Sequence, residues 1–316
     1  MQLNELRREL RFNKELLSLV ETLKNVAGSQ YHLLEKKKQR FAQFMEAFSE
    51  FFRVVDLVDV TNPYVKIASD VTGLVILTSD SGFMGGLNSG VIQAAFDAVA
   101  GLPPDKVAYV VVGEKGAGVI SDMRIPFHFF EGISQDTIYE QAVVIKDYLI
   151  GEVGAGRMGR VLVAAPRAIS FSSQEIEVID LLPCGILFAR EHEEAEQLAR
   201  QGVKRFLADA RKVIVESSYD DMVTYLAGIW VTSRLYEVFE DGKLAEFGAR
   251  AMHLEGSLQK VEKEYSQVRQ KVTKATHELV DKGMRESFAA KSTKRRKVKR
   301  DRSSAARALE QLETAG

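Results

Sequence analysis

Leu254–Leu279, LEGSLQKVEKEYSQVRQKVTKATHEL, is the stretch whose reading decides the fold. Leu254, Leu258, Val261, Tyr265, Val268, Val272, Ala275 and Leu279 recur at alternating steps of four and three, the seam of a left-handed coiled coil. Glu255, Lys260, Glu262, Lys263, Glu264, Arg269, Lys271 and Lys274 fill other positions, so most of the helix surface is charged. A stripe this narrow is buried only against a partner helix of similar length. No proline follows Pro183, so the pattern predicts a helix that starts well upstream, near Leu226.

The partner lies at the other end of the chain. From Gln2 to about Leu57 there is no proline and one glycine, Gly28. Leu3, Leu6 and Leu10 open a seam; Leu16, Leu19, Leu23 and Val26 continue it after a shift of phase, and Leu33, Phe44, Phe48, Phe51 and Val55 carry it onward. This predicts one helix of ~50 residues, roughly 75 Å at 1.5 Å per residue. A helix of that length belongs in a coiled coil. The two ends therefore pair antiparallel around a globular middle, with Asn62-Pro63 closing the first helix.

The middle reads differently. Gly73–Leu77 is a continuous apolar run, the mark of a strand buried on both faces. A glycine turn over 78–86 leads to a helix, Leu87–Val99; Val107–Val112 is the next strand and Gly113-Glu-Lys-Gly116 the next turn. Pro126–Phe130, a helix over Ser134–Ile150, Arg160–Ala164 and Ile176–Leu182 follow. Strands alternating with helices predict an α/β domain with a mostly parallel sheet. The expected division is an N-terminal coiled-coil helix over 1–60, the α/β domain over 66–187, a C-terminal coiled-coil helix over 191–286 and a basic tail over 287–316. Lys291–Arg302 holds eight basic residues and one acid, Asp301; it predicts a solvated, disordered tail, with nucleic acid or anionic lipid as the other reading, though no aromatic is interleaved to stack on bases.

Composition bounds the function. Apolar residues make up 46% and charged residues 28%, and the formal net charge of −1 argues against a polyanion binder overall. No apolar run approaches the roughly 20 residues of a membrane span, and the opening MQLNELRRELRF lacks a secretory apolar core, so export is not expected. Cys184 is the single cysteine, which fits a reducing compartment, and five scattered histidines predict no metal site. Ser79-Asp-Ser-Gly-Phe-Met-Gly-Gly-Leu-Asn88 sits where α/β folds bind phosphates, yet it is neither G-x-G-x-x-G nor a P-loop, and Gly113–Gly118 also fits neither. No nucleophile elbow or HExxH occurs, so neither catalysis nor a cofactor is expected.

SDSGFMGGLNSGV (Ser79–Val91) resembles the SDRGLCGGLN signature of the gamma subunit of F-type ATP synthases. Thr22–Ala27 is similar to that family's T-x-A-M-x-x-V-A, Val110–Gly116 to its strand ending in G-x-K-G, Ser173-Gln-Glu with Leu181-Leu-Pro183 to its S-Q-E…L-L-P, and Glu264–Gln270 to its E-Y-N-x-x-R-Q. Five motifs occur in the family's order, over the chain to about Gly283. The resemblance implies a non-catalytic rotor in a membrane-bound, ion-transporting ATP synthase, on the cytoplasmic face of a bacterial membrane. Its implied partners are the alpha and beta subunits of the catalytic hexamer, the epsilon subunit and the c ring, with no nucleic acid. It implies contact with a beta subunit at Arg269, Gln270 and Thr273, and at Leu23 and Lys24; Leu23 stands where the family has methionine. Ser79, Asp80, Gly82, Gly85, Gly86 and Asn88 match the signature turn, whose arginine is Ser81 here. This divergence and the residues past Gly283 point to an atypical branch, with the tail expected to be disordered or to meet the hexamer's crown. The alternatives to a rotor are a non-rotary coiled-coil scaffold with an α/β docking domain, and a small-ligand enzyme on that domain.

Overall fold

A computed structural model describes residues 3–52, 62–184 and 219–313, with side chains described to residue 37 in the first stretch and between 221 and 298 in the last. The elements in order are α1 (Leu3–Phe52), β1 (Thr72–Leu77), α2 (Leu87–Val99), β2 (Val107–Val112), α3 (Glu114–Asp122), β3 (Phe127–Phe130), α4 (Ile138–Gly154), β4 (Arg160–Ser170), β5 (Ser173–Leu182) and α5 (Tyr219–Glu313). The chain divides into two compact units, Thr22–Gly256 and Met1–Glu21 with Ser257–Gly316.

In the larger unit the sheet runs β3-β2-β1-β4-β5. β1 is parallel to β2 and β4, β2 is parallel to β3, and β5 returns antiparallel to β4 as a hairpin. The mostly parallel sheet predicted from the apolar runs is present, and side chains along β1, β2 and the start of β4 alternate between two cores. Leu74, Ile76, Val111, Leu162 and Ala164 face α2 and α3, where they meet Val91, Ile92, Ala95 and Ile120. Val75, Leu77, Val110, Val112, Val161 and Val163 face the other way, toward α4 and both long helices (Tyr31, Leu34, Leu235, Phe239, Phe247). Both faces being covered is why β1 and β2 read as unbroken apolar runs.

The hairpin β4–β5 fixes the sheet to the coil. At its tip the Phe171 ring lies edge-on to Tyr31 of α1, centroids 5.0 Å apart, and stacks on His32 at 5.7 Å. On α5, a Cβ at Gly248 would come within 2.7 Å of the Phe171 carbonyl oxygen, so glycine is what lets the hairpin backbone sit against that helix.

Within the larger unit the two long helices run antiparallel: Lys24 pairs with Glu255 at 2.9 Å, while Tyr31, further along α1, lies in the field of Asp241, earlier on α5. In the smaller unit the buried positions are Leu6, Asn13 and Val20 on α1 and Leu258 and Val268 on α5. The α5 seam has the expected phase as far as Ala275; Leu279, expected to continue it, is exposed.

Four expectations need correction. On α1 the covered row is Leu3, Leu6, Leu10, Asn13, Leu17, Val20, Lys24, Ala27, Tyr31 and Leu34, at steps of three and four with no phase shift. Leu19, Leu23, Val26 and Leu33, expected in the seam, are exposed; the more apolar register is outvoted because one unbroken heptad row admits Asn13 and Lys24. The side chains of Phe44, Phe48 and Phe51, and all of Val55, lie outside the described residues. Gly113–Gly116, expected as a turn, opens α3: Gly113 is the residue before the helix at φ 97°, and the helix runs on through the remaining glycines. The basic stretch expected as a disordered tail is helical through Glu313, since 284–315 hold neither glycine nor proline and are rich in helix-forming Ala, Arg and Lys. Helix α5 is already formed at Tyr219, upstream of Leu226; the residues 191–218 expected to precede it lie outside the described residues, as do 185–187 of the α/β domain.

Candidate functional site

The signature turn sits at the carboxyl end of β1, where the sheet order switches between β2 and β4. That is the place where open α/β sheets bind ligands. Here the chain's own side chains take up part of it, and a cavity of about 360 Å³ lined by Gly82, Phe83, Gly85, Asn88, Lys115 and His253 stays open beside the turn. The Asp80 carboxylate accepts the Glu114 N–H at 2.9 Å and the Gly132 N–H at 3.0 Å, so two backbone donors at the strand ends already hold an internal anion. Ser79 N–H donates to Asn88 Oδ1 (3.2 Å), Asn88 Nδ2 donates to Ser79 Oγ (3.0 Å), and Ser79 Oγ donates to the Ser81 carbonyl (2.8 Å). Thr78 Oγ1 donates to the Val112 carbonyl (2.8 Å) and accepts the Gly116 N–H (2.9 Å). Gly113 must be glycine: its φ is positive, and a Cβ would lie 2.4 Å from the Thr78 carbonyl oxygen. The turn is therefore a knot joining the ends of β1 and β2 to the segment before α4. Gly85 takes a positive φ of 60°, and Gly86 caps α2.

A residue outside the signature ties this knot to the long helix. Arg250 on α5 donates from Nη2 to Ser81 Oγ (2.6 Å) and to Glu246 Oε1 (2.6 Å), and from Nε to the Gly82 carbonyl at 3.4 Å. Glu246 also accepts Lys243 at 2.7 Å, and both cations lie over the Phe247 ring. The Glu246 side chain is only 9% exposed. A carboxylate so covered is sustained by two cations. Sequence reasoning passed over this clasp. The signal was there: an i, i+4 acid–base pair in the most apolar part of α5.

The residues expected to meet a beta subunit fall on two separate stretches. Arg269, Gln270 and Thr273 are exposed on α5, and Thr273 Oγ1 turns back to the Arg269 carbonyl at 3.0 Å. Leu23 is exposed on α1, while Lys24 is half-buried in its ion pair with Glu255, inside the seam. Among the described residues no cluster of three or more His, Cys, Asp or Glu is placed to hold a metal ion, and no helix is long and apolar enough to cross a membrane.

An α/β domain with two long antiparallel helices packed on one face of its sheet defines a stalk-type subunit. The chain belongs to the ATP synthase gamma-subunit family: the family model described as ATP synthase matches residues 2–281. A gamma chain from Desulfitobacterium hafniense is 25% identical over 250 residues, covering 78% of this chain and 82% of its own length. One from Polynucleobacter necessarius is 22% identical over 299 residues, covering 87% and 96%. Among solved structures, the rotor of the Euglena gracilis mitochondrial ATP synthase overlays with a TM-score of 0.60 at 15% identity, over 88% of this chain and 98% of that one. The central stalk and c-ring structure from Tetrahymena thermophila gives 0.54 at 18% identity, over 76% and 99%. The fold anticipated from the five motifs is the one observed.

Proposed function

We propose that this chain is the central rotor of a rotary F-type ATP synthase, carrying rotation between a membrane c ring and a catalytic hexamer of alpha and beta subunits. In this reading the α/β domain, held by the c ring and an epsilon subunit, is turned by ion flow at the membrane, on the cytoplasmic face of a bacterial cell. The coiled coil turns with it and drives the beta subunits through their nucleotide-binding states. Chemistry belongs to the beta subunits, and this subunit only couples. The observation that supports the reading best is that one face of the sheet packs on both long helices, through Tyr31, Leu34, Leu235, Phe239 and Phe247. Torque applied to the domain therefore enters two helices over a broad apolar contact, and the Arg250 clasp ties the turn at the end of β1 to α5.

The charged outer surface of α5 beyond Ser257 suits a shaft that must not adhere at one angle. Arg269, Gln270 and Thr273 are the proposed contacts with a beta subunit, joined by Leu23; Lys24 acts through Glu255 by fixing the α1 backbone beside Leu23. Replacing Arg269 and Gln270 together with alanine is expected to lower coupled ATP turnover of the assembled complex several-fold while its melting temperature stays put. Unchanged turnover removes both residues from the contact. Purification as a stable homodimer through the seam, with no nucleotide-hydrolysing hexamer attached, favours the non-rotary scaffold instead.

A further inference from the structure

The cavity of about 360 Å³ beside the signature turn is walled by that turn, by the first two turns of α2, by the start of α3 and by α5. Lys115 of α3 brings an ammonium group to it and His253 of α5 an imidazole, and among the described residues no carboxylate lines it. Both nitrogen groups stand on fixed backbone. The Lys115 N–H donates to the Ser79 carbonyl at 3.0 Å, and His253 Nδ1 lies 3.7 Å from where a Cβ would stand on Gly85. Phe83, Ile92 and Val119 supply an apolar wall, and Phe83 leaves 62% of its surface uncovered. A Cβ on Gly82 would meet nothing within 4 Å, so the backbone there faces open space.

These walls select among occupants. The volume falls in the range of small-molecule sites, roughly 300–1,000 Å³. An inorganic anion suits the nitrogen groups but fills little of the space and leaves Phe83 and Val119 in water. An uncharged apolar molecule would strip water from Lys115 and give nothing back. A nucleic-acid strand needs a basic groove that tracks several phosphates, and this chain carries a net charge of −1. A molecule that joins a phosphate to a flat ring meets both walls, the phosphate at Lys115 and the ring on the face of Phe83. The phosphate would lie outward of the strand ends, whose Glu114 and Gly132 N–H groups are already held by Asp80.

We propose that this cavity binds a nucleoside phosphate, with its phosphate between Lys115 and His253 and its base against Phe83. Such a ligand touches the turn, α3 and α5 together, and so adds to the tie that Arg250 makes from α5 to Ser81 and Gly82. The site is a property of this chain alone and goes beyond the rotor reading.

The test uses the full chain purified without alpha or beta subunits, with methylanthraniloyl-ADP as the probe and fluorescence anisotropy as the readout. The expected result is a saturable rise that ADP reverses, with pyrophosphate and adenosine each poorer competitors by about tenfold or more. K115E should weaken binding by about tenfold and F83A several-fold. Both side chains are exposed, so the melting temperatures should stay put. K66E, which changes an exposed lysine that does not line the cavity, should bind as the parent does. Photolabelling with azido-ADP should tag the segment 82–92. No saturable rise up to about 1 mM probe, or label confined to other segments, would overturn the proposal. So would pyrophosphate or adenosine competing as well as ADP, the first marking an adventitious anion site only. Affinity indifferent to K115E and F83A, or lost equally in K66E, would overturn it as well.

Discussion

Helix α5 lives in two environments. Between Val223 and Leu254 only Tyr225, Met252 and His253 are exposed; from Ser257 to Thr276 only Leu258 and Val268 are fully buried. The first stretch is covered nearly all round, with Val231, Leu235, Val238, Phe239, Leu244 and Phe247 in the apolar core shared with the sheet, α4 and α1, and its charged side chains, Glu240, Asp241 and Glu246 among them, largely buried. The second has one apolar edge and charges elsewhere. The same backbone is thus a core element in one place and a coil strand in the other, and the width of the apolar stripe decides which. One part is built to be gripped and the other to be touched lightly.

Large-to-small substitutions break this comparison most directly. F239A, at a fully buried position, is expected to cost about 3–5 kcal/mol, and L258A in the seam the low end of about 2–5 kcal/mol, because the coil can close on the gap. Denaturant unfolding of the two variants checks it; equal losses would mean that the two environments are energetically alike. R250M should cost about 1.5–3 kcal/mol, as charge-assisted bonds to Ser81 and Glu246 go and Glu246 loses one of its two cations. In the assembled enzyme the same change should lower coupled turnover more than K24M does. N13L probes the lightly touched part: the seam is expected to gain stability and lose uniqueness, seen as mixed species in analytical ultracentrifugation. K24M should cost least, about 0.2–1 kcal/mol, because its ion pair with Glu255 is part-exposed.

A chemical probe sharpens the same contrast. Cys184, at the end of the sheet domain, is buried, and desolvation pushes its thiol up from 9.0 to about 12. The unfolded chain ionises this thiol first, so its effect on stability is constant below pH 9 and falls as pH rises from there toward 12. Alkylation at pH 8 should therefore be slow in the native protein and fast after denaturation; rapid native labelling would show that this core is looser than described.

The sequence disclosed the strands best. β1 and β2 are continuous apolar runs because both sheet faces are covered, and α2 emerged with its observed ends, Leu87 and Val99. It misled where chemistry and position disagree. On α1 the side chains that read as seam (Leu19, Leu23, Val26) lie outside it, while Asn13 and Lys24 lie inside. Hydrophobicity alone cannot find a row held partly by a polar residue and an ion pair. Three glycines in six residues hid α3, since only the sheet-end packing reveals that Gly113 and Gly116 are small for steric reasons. The signature turn was legible as a motif; its role as a knot between strand ends needed the Asp80 contacts. The Arg250 clasp joins residues 169 positions apart, a distance no local pattern spans.

Two ion-paired attachments differ in how they will meet brine. Glu246, with Lys243 and Arg250 at 14% and 16% side-chain exposure, is shielded from mobile ions, whereas Lys24 and Glu255 stand at 28% and 42%. Dissolved salt screens only what it can approach. A cell whose interior swings in potassium content would slacken the coil's clip long before it loosened the knot beside the sheet, so osmotic stress should reach this subunit through its slender part first.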